Sequence, residues 1–156
     1  ILSKQTFRTF SYAYQSTYKP LIYQPIVDSS HHPLHIIRKR IQGERSRSGL
    51  WWHVTVGNNS SKTKVVRSWL RRRLIVAFIE ELKSRGFDRD GKFVDTKDNA
   101  PHREVFRELL ERGQIPELKG SLKLHAQAPL VTAKFEDVKR EAAKLVEALC
   151  LGLETE

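Results

Sequence analysis

From Leu118 to Gln127 the chain alternates without a break. Leu118, Gly120, Leu122, Leu124 and Ala126 are apolar or small, while Lys119, Ser121, Lys123, His125 and Gln127 are polar. Successive side chains of a strand point to opposite faces, so this segment has one dry face and one wet one. It demands a sheet covered by other elements on one side only. Leu50 to Val56 obeys the same rule: Leu50, Trp52, Val54 and Val56 point one way, and Trp51, His53 and Thr55 the other. Leu34 to Gln42 reads as a further strand with weaker alternation. The loop "GERSRSG" (Gly43 to Gly49) has glycine at each end and predicts a hairpin with Arg45 and Arg47 at its tip.

The cover for such a sheet is helical. Val66, Leu70, Leu74, Ala77, Phe78 and Leu82 recur at helical spacing, which predicts a long helix from about Ser61 to Arg85. Ser60 or Ser61 is the expected cap and Gly86 the stop. A second helix is expected from Pro101 to Arg112, ended by Gly113, with Val105, Phe106, Leu109 and Leu110 as its apolar side. A third runs from Lys134 to Cys150, with Phe135, Val138, Ala142, Leu145, Val146 and Leu149 on one face and Thr132 as cap. The resulting expectation is an α+β domain over residues 34–156: a small, mostly antiparallel sheet of about three strands with three helices. Residues 1–33 read as an extended basic N-terminal segment, punctuated by Pro20, Pro25 and Pro33.

Charge divides the chain unequally. Residues 1–75 hold 14 Lys and Arg against two acids, Asp28 and Glu44, a balance of +12; residues 76–156 hold 14 against 16, a balance of −2. The first half thus carries the whole excess, and such asymmetry points to a polyanionic partner. The first 27 residues contain no acid and many hydroxyls, as mitochondrial transit peptides do. "RTFS" (Arg8 to Ser11) resembles the arginine-at-minus-three processing pattern and would place a cut between Phe10 and Ser11. The expected location is the mitochondrial matrix. The single cysteine, Cys150, excludes an intrachain disulfide. No apolar run approaches the roughly 20 residues of a membrane span.

The segment "VTVGNNSSKTKVVRSWLRRRL" (Val54 to Leu74) runs from a strand through a polar turn into the arginine-rich helix. A nucleotide-binding P-loop sits at such a junction. Here "GNNSSKT" is one residue short of that motif and has Ser61 where the second glycine belongs, so the backbone cradle for a phosphate is missing. Lys62, Lys64 and Arg67 nevertheless occupy the helix start, where the dipole disfavours cations and welcomes an anion. Arg71, Arg72 and Arg73 follow. Lys64, Arg67 and Arg71 share one face as a ladder for a phosphate backbone. Arg38, Lys39, Arg40, Arg45 and Arg47 form a second basic cluster on the expected hairpin. Together these residues form a candidate RNA surface, with Trp51 or Trp52 available to stack a base.

Other sites are poorly supported. His31, His32 and His35 lie close in sequence but lack the further ligands of a structural zinc site. No nucleophile has a base beside it and no carboxylates are paired in an apolar setting. The chain reads as a binding protein, not an enzyme, with no cofactor, metal or small-molecule substrate. Its short basic α+β character, its acid-free front and "ELKGSLKLHAQAPLVTAKFEDVKREAAKLVEAL" (Glu117 to Leu149) resemble mitochondrial ribosomal proteins special to fungi, with the large subunit favoured. That resemblance implies a structural part bound to rRNA and to neighbouring mitochondrial ribosomal proteins. The alternatives are a transient mitochondrial RNA-binding assembly or processing factor, and a DNA-binding nucleoid protein.

Overall fold

A computed structural model of the chain describes residues 6–94 and 103–153. The elements run β1 (Phe10–Gln15), α1 (Gln24–Asp28), α2 (His35–Glu44), β2 (Leu50–Val56), α3 (Lys64–Ser84), α4 (Arg103–Glu111), β3 (Gly120–Ala126), a 3-10 turn (Ala128–Val131) and α5 (Phe135–Leu153). The class is α+β, as expected. The sheet has three strands in the order β1-β3-β2. β1 pairs antiparallel with β3, but β2 pairs parallel with it, so the sheet is mixed and not mostly antiparallel. A parallel pair needs a long crossover, and α3 lies on the path between β2 and β3.

Two of the three strands are those the alternation predicts, and the register aligns their faces. Leu122 stands between Tyr14 and Trp52, Leu124 between Tyr12 and Val54, and Ala126 between Phe10 and Val56. These rows form the dry face. Leu70, Leu74, Ala77, Phe78 and Leu82 of α3 are fully buried in the same core as Val138, Ala142, Leu145 and Val146 of α5. The opposite face holds Ser11, His125 and Thr55 in one row and Ala13, Lys123 and His53 in the next. Helices therefore cover one side of the sheet only.

The third strand is not where the sequence places it. Leu34 to Gln42 is no strand and there is no hairpin: residues 35–44 form α2, with Arg38 N–H bonded to the Leu34 carbonyl and Arg45 N–H to that of Ile41. β2 pairs with β3 on one side, and its other edge takes no strand from this segment. The missing strand is β1, inside the expected leader. Phe10 is 0 % exposed, and Thr9 is held by Glu141 of α5, whose carboxylate accepts the Thr9 backbone N–H at 3.0 Å and its hydroxyl. The division at residue 33 thus cuts through the packed body. A cut between Phe10 and Ser11 would also remove a core residue.

The helix ends obey local rules unevenly. After α3, Gly86 adopts φ +84°, and the N–H groups of Gly86 and Phe87 bond back to Lys83 and Leu82. This is a Schellman stop, with Phe87 and Leu82 both buried. At the start of α3, Thr63 occupies the cap position without a side-chain cap bond. Ser60 donates to the Ala126 carbonyl instead, and Ser61 accepts from Thr63 N–H. Thr132 ends the 3-10 turn and does not cap α5. The expected start of the second helix, Pro101, lies outside the described residues; its end at Gly113 is present, with φ +73°.

Candidate nucleic-acid interface

β2 is an edge strand, and its free side forms a groove with α3. One lobe, about 290 Å³, is lined by His53, Thr55, Val56, Lys64, Arg67 and Arg71 among others. The other, about 350 Å³, is lined by Arg45, Trp52, Arg71, Ile75, Arg89 and Asp90 among others. His53, Val54 and Arg71 belong to both. The groove therefore follows the strand edge with a cation at each step, and among the described residues Asp90 is the one acid that lines it.

Each rung of the expected ladder has its own setting. Lys64 and Arg71 are exposed. Arg67 is half-buried: its guanidinium donates to the carbonyls of Ser61 at 2.9 Å and Lys62 at 2.7 Å. It thus fixes the turn that leads into α3 while lining the groove. Arg71 Nη2 lies 3.3 Å from His53 Nε2, so the guanidinium donates to a neutral imidazole. Desolvation, then the Arg71 and Lys123 charges, hold His53 below its ordinary pKa. His53 reports a site already crowded with positive charge.

The open sheet face continues this surface. Lys123 stands opposite His53 in the β2–β3 register, and His125 opposite Thr55. Thr55 Oγ1 lies 2.8 Å from His125 Nδ1 and 3.3 Å from the Leu124 carbonyl. Both contacts are satisfied when His125 donates to the hydroxyl and the hydroxyl to the carbonyl.

The remaining basic residues divide. Arg73 faces away from the groove: it donates to the carbonyl of Leu130 at 3.0 Å and to that of Ala133, and lies over the Trp69 ring. It fastens the 3-10 turn to α3. Lys62, Arg47 and Arg72 are exposed but do not line the groove. Arg38, Lys39 and Arg40 sit on α2, apart from the ladder. Arg38 stacks on Tyr23 at 3.7 Å, and Arg40 pairs with Glu44 at 3.6 Å. Arg45 alone of the second cluster reaches the groove, resting on the Trp51 ring at 4.2 Å. Trp51 is buried beneath it and beside Tyr18, so it is closed to a base; Trp52 packs edge-on against Phe78.

Sequence reasoning missed Arg89 and Lys123. Lys123 was visible as a wet-face position, but only the parallel register brings it beside His53. Arg89 follows α3 in a turn that closes back on β2, where its carbonyl accepts from Trp52 Nε1 at 2.8 Å. Among the described residues no group of three or more His, Cys, Asp or Glu is placed to hold a metal ion. No helix among them is long and apolar enough to cross a membrane. Comparison of the chain with protein-family models, curated proteins and solved structures finds no match.

Proposed function

We propose that this chain is an RNA-binding structural component of the mitochondrial ribosome, with the large subunit favoured. The observation that carries the reading is the groove along the free edge of β2, where Lys64, Arg67, Arg71, Arg45 and Arg89 are gathered around a neutral His53. Cations set side by side without matching acids repel one another, and a phosphate backbone relieves that repulsion and releases counterions. Such contacts position a protein on RNA without reading its sequence. The role is structural and not catalytic.

The mitochondrial setting rests on the acid-free composition of the first 27 residues and on the resemblance of the chain's general character. Protein neighbours suit a second feature. Val65, Trp69 and Val76 lie on the side of α3 turned away from its buried stripe, and all three are exposed. A ridge of this kind gains by being covered.

The test is a sucrose gradient of the tagged chain from a mitochondrial lysate, with and without ribonuclease. Stoichiometric migration with one subunit, lost on ribonuclease treatment, is the expected result and names the subunit. Substoichiometric migration favours the transient assembly or processing factor. Migration at the top of the gradient in both conditions overturns the ribosomal reading.

A further inference from the structure

α2 is the least covered helix of its length in the described chain, and none of its residues is buried. Ile36 is 78 % exposed, Ile37 53 %, Ile41 47 % and the preceding Leu34 44 %. At 3.6 residues per turn these four span an arc of about 160° around the helix axis. Lys39 flanks one margin of the arc and Arg38 the other. Arg38 lies over Tyr23, itself part-exposed. Arg40 falls inside the arc, together with its partner Glu44.

We propose that this face of α2 docks on an anionic lipid surface, lying in the interface without spanning it. The charge complementarity is direct: Arg38, Lys39, Arg40, Arg45 and Arg47 stand against Glu44 alone between residues 34 and 47. The apolar arc then supplies what electrostatics does not. A short helix with isoleucines on one side and the cations of Lys39 and Arg38 at its margins enters the boundary between headgroups and acyl chains. Its basic stems lie along the apolar layer while their charges reach lipid phosphates. Tyr23 suits the same depth.

Two other occupants fit less well. An RNA backbone satisfies the cations but gains nothing from Ile36, the most exposed large hydrophobic residue described. A dry protein groove would cover the isoleucines but strip water from the Arg40–Glu44 pair inside the arc, at the desolvation cost of a buried ion pair, whereas at the headgroup boundary both long side chains can reach water.

The experiment is sedimentation of the full chain with vesicles of phosphatidylcholine, with and without phosphatidylserine. Two variants accompany it: Ile36→Ser/Ile37→Ser/Ile41→Ser on α2 (the arm variant), and Lys64→Glu/Arg71→Glu in the groove (the groove variant). All five positions are exposed, so folding is spared. The wild-type chain is expected to pellet with the anionic vesicles only. The arm variant should lose about tenfold or more of that partitioning, since binding scales with buried apolar area, and keep its RNA affinity. The groove variant should do the reverse. Failure to pellet with anionic vesicles overturns the proposal, as does full partitioning of the arm variant. Loss of vesicle binding in the groove variant alone would assign the lipid contact to the groove and equally overturn it. If the arm variant instead falls off a ribosomal subunit while its vesicle binding is unchanged, a protein covers α2. Loss of RNA affinity in the groove variant bears only on the function proposed above.

Discussion

Arg71 Nη2 lies 3.3 Å from His53 Nε2, although the two residues approach from different layers. His53 stands on the open face of the sheet, and Arg71 rises from the helix beneath it. Their meeting point is the free edge of β2. The cationic surface therefore wraps around an edge and is not confined to a helix face.

Charge reversal at that edge has a defined expected outcome. Lys64→Glu with Arg71→Glu should lower RNA affinity and flatten its salt dependence. Each lost phosphate contact should reduce the log–log slope by about 0.7–0.9. A salt titration by filter binding or anisotropy checks this, and an unchanged slope would remove the ladder from the interface.

The histidine gives a pH dependence with two signs. His53 is held below its ordinary pKa near 6.5 by desolvation, then by Arg71 and Lys123. Between the lowered value and 6.5 the unfolded chain binds a proton that the folded chain refuses. Its contribution to stability is therefore present above that window and lost as pH falls through it. A bound phosphate opposes the two cations and favours the charged ring, so RNA affinity should rise over the same fall in pH. His53→Gln should flatten both profiles, measured by urea midpoints and by anisotropy. A variant that keeps the wild-type pH slope would assign the effect to another group.

Arg73 separates folding from binding. Arg73→Leu leaves the carbonyls of Leu130 and Ala133 without their donors, which should cost about 1–3 kcal/mol of stability. RNA affinity should not change. Arg72→Ala, at an exposed position beside it, should stay within about 0.5 kcal/mol of wild type. Equal urea midpoints for the two variants would contradict the hydrogen bonding described.

The N-terminal strand should prove structural. Phe10→Ala removes a fully buried ring and should cost about 3–5 kcal/mol. Thr9→Val takes away the hydroxyl donated to Glu141 and should cost about 1 kcal/mol. Chemical denaturation measures both. A chain truncated before Ser11 that retains wild-type stability would show that β1 holds its place without these contacts.

Legibility in the sequence followed the range of the forces involved. β3 and α5 were readable because a period of two and a period near 3.6 are written into consecutive residues. α3 was readable for the same reason, including its stop at Gly86. α2 was misread because Ile36, Ile37 and Ile41 look like strand residues, and an uncovered helix has no buried stripe to announce it. β1 did carry a signal: Phe10, Tyr12 and Tyr14 alternate with Ser11, Ala13 and Gln15. Its acid-free surroundings have the composition of a leader, which masks that signal. Of the candidate site, the ladder of Lys64, Arg67 and Arg71 was visible as helix spacing. The separation of Arg73 was not, because its partners lie 57 and 60 residues downstream. The gathering of Arg45 and Arg89 likewise depends on tertiary closure.

The pairing of β1 with β3 also sets an order of events during synthesis. Phe10 meets Ala126, and Gln15 meets Ser121. β1 thus leaves the ribosome more than a hundred residues ahead of its partner β3, roughly 5–20 s at about 5–20 residues per second. Throughout that interval Phe10, Tyr12 and Tyr14 stand without their partners on β3. β1 is made well before β3 and is seated only when β3 has emerged.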